Sequence, residues 1–188
     1  TAIGDEVLRA NTTGSSNTGL GFGALAVNTS GHNNVAIGDS TLLRSITGSY
    51  NVAVGSNVMN RNKGSFNVAI GAQALQNSYN SAQNIAIGAG ALFYTDSSAN
   101  NIAIGANALA NNQTGFRNIA IGLNAGLQYL GSDKLFIDGS GVSASAGSDS
   151  SNALIYGDFL NDSLVLNAKT VIRDNAVVKG FTKLGGYA

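Results

Sequence analysis

Asn84-Ile85-Ala86-Ile87-Gly88 decides the fold, because the chain keeps returning to it. The phrase stands also as Asn34-Val35-Ala36-Ile37-Gly38, Asn51-Val52-Ala53-Val54-Gly55, Asn67-Val68-Ala69-Ile70-Gly71, Asn101-Ile102-Ala103-Ile104-Gly105 and Asn118-Ile119-Ala120-Ile121-Gly122. Weaker copies precede it at Asn17-Thr18-Gly19-Leu20-Gly21 and Ala2-Ile3-Gly4. The closing glycines fall at 4, 21, 38, 55, 71, 88, 105 and 122, a period of 17 broken once by 16. A large apolar residue follows each glycine by four positions: Leu8, Leu25, Leu42, Met59, Leu75, Leu92 and Leu109, with Leu127 one place late. Then come Asn11, Asn28, Asn62 and Asn112, with Ser45, Ser78 and Thr95 in their place elsewhere, and Gly14, Gly31, Gly48, Gly64 and Gly115. These read as turn residues that tolerate positive φ. The short interval loses its residue between Met59 and Gly64, inside that turn, where a deletion spares the strands.

A period of 17 is too short for helix-pair repeats, and apolar residues alternate inside each copy, so the copies are β. In Val35-Ala36-Ile37-Gly38 the two β-branched residues face one way and the small pair the other. Two short strands and two turns per copy predict one coil of a parallel β-solenoid, with eight coils rising roughly 40 Å at ~4.8 Å each. Stacking puts Asn17, Asn34, Asn51, Asn67, Asn84, Asn101 and Asn118 in one column, where their amides can form a ladder. The roll interior is assigned to Ile37, Val54, Ile70, Ile87, Ile104 and Ile121 together with Leu25, Leu42, Met59, Leu75, Leu92 and Leu109. That leaves Ala36, Ala53, Ala69, Ala86, Ala103 and Ala120 as an outward close-packing face, which predicts self-association.

The repeat domain spans 1–131, and a strand-rich tail spans 132–188. Extended runs are expected at 134–137, 153–156, 163–166, 170–173 and 176–179, with a Gly/Ser/Ala/Asp loop over 139–151. The tail alternates apolar and polar residues without length enough to close on itself, so an intertwined β-prism or triple β-helix with two other copies is expected.

Composition narrows function by exclusion. The chain has 188 residues, 25 glycines, 24 asparagines and no Pro, Cys or Trp. Disulfide and zinc-clipped scaffolds are out, and so is collagen, which needs proline. Ten basic and ten acidic residues are scattered, giving no electrostatic footprint for nucleic acid or anionic lipid. The longest apolar runs fall far short of the ~20 residues of a membrane helix. The chain opens on Thr1-Ala2-Ile3-Gly4, which reads as a processed piece of something longer.

Chemistry is hard to find in the residues. His32, the single histidine, sits in a turn with no carboxylate in the neighbouring copy, and reads as a solvated turn residue. Asp5, Glu6, Asp39 and Asp96 fall at unmatched repeat positions, and the tail aspartates lack calcium-loop spacing, so no metal site or cofactor is expected. Gly19-Leu20-Gly21-Phe22-Gly23 belongs to the repeat, not to a phosphate loop. Tyr50, Phe66, Tyr79, Phe93, Tyr94, Phe116 and Tyr129 crowd the variable turns, where they read first as capping turns or packing between subunits and second as stacking on a ligand at a coil edge.

Asn-Val/Ile-Ala-Ile-Gly followed by Ala-Leu and an Asn/Thr-rich turn resembles the head repeats of trimeric autotransporter adhesins. It is equally similar to the repeats of phage-type tail fibres that end in an endosialidase-type chaperone. The resemblance covers roughly residues 1–131, and the 152–181 region resembles the strands preceding that chaperone, which is itself absent. It implies a left-handed roll, a homotrimer, an extracellular or virion location and attachment to a host receptor, glycan or protein, without catalysis. Two other classes are weighed against it. An acyltransferase-like left-handed β-helix needs six-residue steps and a boundary histidine, and an ice-binding solenoid needs a regular threonine file. Thr12, Thr13, Thr29, Thr47 and Thr114 form no such file.

Overall fold

A computed structural model describes residues 1–139 and 153–167. The described residues are all-β, a parallel solenoid of about eight turns. One strand per coil builds the first wall: β1 (Ala2–Ile3), β2 (Thr18–Leu20), β3 (Val35–Ile37), β4 (Val52–Val54) and β5 (Val68–Ile70), then β7 (Ile85–Ile87), β9 (Ile102–Ile104) and β10 (Ile119–Ile121). They pair in parallel and in register, Val35 to Val52 and Ala36 to Ala53, so equivalent residues of successive coils lie above one another. Two short strands, β6 (Asn77–Ser78) and β8 (Tyr94–Thr95), pair in parallel on the opposite wall.

The faces of the first wall are inverted relative to the expectation. Ala36, Ala53, Ala69, Ala86, Ala103 and Ala120 are fully buried, whereas Ile37, Ile70, Ile87, Ile104 and Ile121 are 37–40% exposed and Val54 is half-buried. Strand parity gives the reason. The ladder asparagines are buried, and residues two apart share a face, so burying Asn34 carries Ala36 inward and turns Val35 and Ile37 outward. Width agrees with parity. Leu25, Leu42, Met59, Leu75, Leu92 and Leu109 reach across from the far wall, fully buried, and leave room for no more than a methyl opposite them.

The eighth coil tests that packing rule. Gly126, φ +61°, stands at the leucine position, and Leu127 lies half-buried beside it instead of filling the column. Sixteen residues after Ala120, Phe136 occupies the alanine register and is fully buried. A Cβ at Gly126 would sit 2.9 Å from Leu109 and 3.0 Å from Phe136, so the small and large partners have exchanged walls.

The second wall is not the expected run of strands. Leu8, Leu25, Leu42, Met59, Leu75, Leu92 and Leu109 all have φ between 47° and 56°, so each coil turns through a left-handed residue there. That conformation costs about 1–2 kcal/mol for a side-chain residue. Burying the side chain returns about 1.5–3 kcal/mol, and a hydrogen bond to the next coil adds roughly 1 kcal/mol. Leu25 N–H donates to Thr41 O at 3.0 Å, Leu42 N–H to Val58 O at 2.9 Å and Leu92 N–H to Ala108 O at 3.0 Å.

Beyond residue 131 the main sheet continues. β11 (Lys134–Ile137) adds in parallel to β10, and the hairpin of β12 (Ile155–Asp158) and β13 (Ser163–Leu166) adds antiparallel. The Lys134 ammonium bridges Asp158 Oδ1 at 2.9 Å, and with Asn161 it holds that carboxyl down to about 2. The runs expected at 170–173 and 176–179, and the loop at 140–151, lie outside the described residues.

Candidate functional site

The asparagine column is a fully paired buried ladder. Asn34 Oδ1 accepts from Asn51 N–H at 3.0 Å and from Asn51 Nδ2 at 3.2 Å, while Asn34 Nδ2 donates to Asn17 Oδ1 at 3.1 Å and to Gly48 O at 2.8 Å. Asn51, Asn67, Asn84 and Asn101 repeat the pattern, and Asn118 Oδ1 accepts from Lys134 N–H. Asn17, at the first full coil, donates to Gly31 O at 2.7 Å. An amide alone supplies acceptor and donor together at this length, which is why the position does not vary.

Glycine enforces the close stacking these bonds need. Gly71 has φ +122°, and a Cβ there would lie 2.8 Å from Gly88 O of the next coil. The other glycine column has no positive φ, contrary to its reading as a positive-φ turn; at Gly48 a Cβ would meet Gly64 O at 2.6 Å, so close approach selects it. The second asparagine column is less complete. Asn28 Nδ2 donates to Asn11 Oδ1 at 2.7 Å, but Asn28 Oδ1, Ser45 Oγ, Thr95 Oγ1 and Asn112 Oδ1 are buried without a partner among the described residues. Ser45 is too short to answer Asn28 from the next coil, and Tyr129 stands where Asn112 would need an amide.

Outside, the first wall presents two apolar columns. Ile37, Val54, Ile70, Ile87, Ile104 and Ile121 form one, and Val35, Val52, Val68, Ile85, Ile102 and Ile119 the other, all half-buried or exposed. Six coils make this face about 24 Å long and about 10 Å wide. The face is continuous and flat, without a charged side chain in either column. Its edge carries the left-handed residue before each ladder asparagine, and here Tyr50 and Phe66 stack 4.9 Å apart with planes 4° from parallel. His32 meets Tyr50 edge-on at 5.1 Å and contacts Asn33 Nδ2 at 2.9 Å through Nδ1. Arg117 and Asp133 continue the column as an ion pair at 2.6 Å.

Sequence reasoning identified both apolar columns and turned them inward. The signal that places them outward was the asparagine two residues before each alanine. Among the described residues no three His, Asp or Glu side chains gather, and no helix is long and apolar enough to cross a membrane. The fold and these surfaces define a parallel β-solenoid with a bare apolar wall. The chain matches no family model, no curated protein and no solved structure.

Proposed function

We propose that the chain is a non-enzymatic, homotrimeric fibre segment of a surface adhesin or phage-like tail fibre, extracellular or virion-borne, that carries or forms an attachment surface. The observation behind this reading is the bare Val/Ile wall. A single roll leaves it in water, and three rolls that turn their walls inward bury it. The face doing this is the β-branched one, in place of the alanine face first expected. The repeat resemblance supports a left-handed roll and three copies, and the tail from 132 is proposed to intertwine with its two counterparts as a β-prism or triple β-helix. The exposed Leu160, Leu164 and Leu166 of the β12–β13 hairpin supply apolar surface for that contact.

Such a segment works by multivalency. Laddered coils hold three copies of each edge turn at fixed spacing, so individually weak contacts to a host receptor add. Binding of the labelled chain to receptor-bearing cells, compared with the Ile87→Asp variant, tests this. Asp at 87 puts three charges into the apolar seam, and apparent affinity should fall by about 10²-fold or more as the chains separate. A separated variant that binds as tightly as the parent contradicts the reading.

A further inference from the structure

One corner of the second wall departs from the regular 17-residue coil. The coil containing the 16-residue interval has a shortened turn at Lys63-Gly64, and beside it a cleft of about 250 Å³ opens over four coils. Arg61, Asn77, Tyr79, Tyr94, Asp96 and Gln113 line it, together with Ser78 and Thr95. Here the Arg61 guanidinium, the Asn77 and Gln113 carboxamides, the Tyr94 hydroxyl and the Asp96 carboxylate make no side-chain hydrogen bond or ion pair among the described residues. A guanidinium and a carboxylate thus share a cleft without bridging each other.

The two tyrosines are braced from outside the cleft. Lys63 Nζ lies 4.2 Å from the Tyr79 ring centroid and hydrogen-bonds its hydroxyl, and Phe93 meets Tyr94 edge-on at 4.5 Å. Both rings nevertheless stay nearly half exposed, Tyr79 at 46% and Tyr94 at 49%. Braced aromatic faces beside planar, uncommitted donors and acceptors suit a ligand that is apolar on one face and ringed with hydroxyls. The cleft lies just below the ~300–1,000 Å³ that encloses a drug-sized ligand, room for one ring-sized group at an open mouth.

We propose that this cleft binds a pyranose residue of a neutral glycan. The tyrosine rings take the C–H face of the sugar, and Asp96 with Arg61 or Gln113 engages neighbouring hydroxyls, accepting at the carboxylate and donating from the guanidinium or carboxamide. The cleft sits on the wall opposite the Val/Ile face, so each copy of a trimer keeps its own. This deepens the attachment reading and rests on it for biological meaning, while the binding itself is read on the chain in any oligomeric state.

Saturation-transfer NMR on the full chain, with the methyl glycosides of galactose, glucose, mannose and N-acetylglucosamine as probes, tests the assignment. At least one should bind with a dissociation constant on the order of millimolar. Tyr94→Ala should weaken it about tenfold, Asp96→Asn by a similar factor, and Tyr94→Phe much less, while Arg9→Ala at an exposed position of the first coil leaves it unchanged. Transfer to none of the four probes, transfer undiminished in both Tyr94→Ala and Asp96→Asn, or equal loss in Arg9→Ala overturns the proposal. So does a change of molar mass in Tyr94→Ala, which would make the cleft a contact between copies. Loss of the glycoside signal with the trimer intact counts against the cleft alone; loss of the trimer with the signal intact counts against the fibre reading alone.

Discussion

The two walls of the roll are built from the same number of coils yet tolerate change very differently. On the first wall every coil repeats Asn, Val or Ile, Ala, Val or Ile, and Gly almost without exception from 34 to 122. On the second, the outward positions run through Arg61, Asn77, Tyr94 and Asn111 in successive coils. The difference follows from what each residue does for its neighbours. A ladder asparagine bonds two coils at once, a closing glycine lets backbones meet, and an alanine makes room for a leucine. Outward residues of the second wall touch solvent and are free to specialise.

Substitutions that press on this contrast should rank accordingly. Gly71→Ala strikes the closing-glycine column, adding a Cβ 2.8 Å from the next coil's carbonyl oxygen in a conformation reserved for glycine. It should cost about 4 kcal/mol or more, seen as a melting temperature lower by roughly 10 °C or more in a calorimetric scan. Asn84→Ala comes next. It removes the acceptor of Asn101 N–H and Nδ2 and the donor to Asn67 Oδ1 and Ser98 O, all buried, for about 3 kcal/mol by denaturant titration. On the second wall Gln113→Ala should stay within about 0.5 kcal/mol, and a comparable loss there would erase the distinction between walls. Smallest and opposite in sign, Ser45→Asn gives Asn28 Oδ1 a partner and should raise the melting temperature by about 2–4 °C.

Much of the roll was legible in the residues. The period, the ladder column and the leucine column need only counting, because stacking forces equivalent residues into register. What misled was ranking Ile above Ala as a core residue. In a roll this thin, side-chain volume on one wall limits the other, and parity with Asn34 or Asn84 outweighs hydrophobicity in deciding which way Ile37 or Ile87 points. The left-handed leucines had no sequence signal, since leucine disfavours that conformation and adopts it here under the pull of burial and inter-coil bonds. The Gly126–Phe136 exchange was readable as a glycine in the leucine column and a phenylalanine sixteen residues past Ala120. The Tyr79–Tyr94 cleft was visible only as aromatics in turns, because which turns adjoin across coils is set by the deletion near Lys63.

The bare Val/Ile wall is predicted to find its cover in two sister chains. Sedimentation equilibrium of the parent chain and of Ile87→Asp measures this. The prediction is three times the chain mass of 19.0 kDa for the parent, and a single folded chain with an unchanged β spectrum for the variant. A parent chain that sediments at 19.0 kDa, or a variant that unfolds instead of separating, would contradict it.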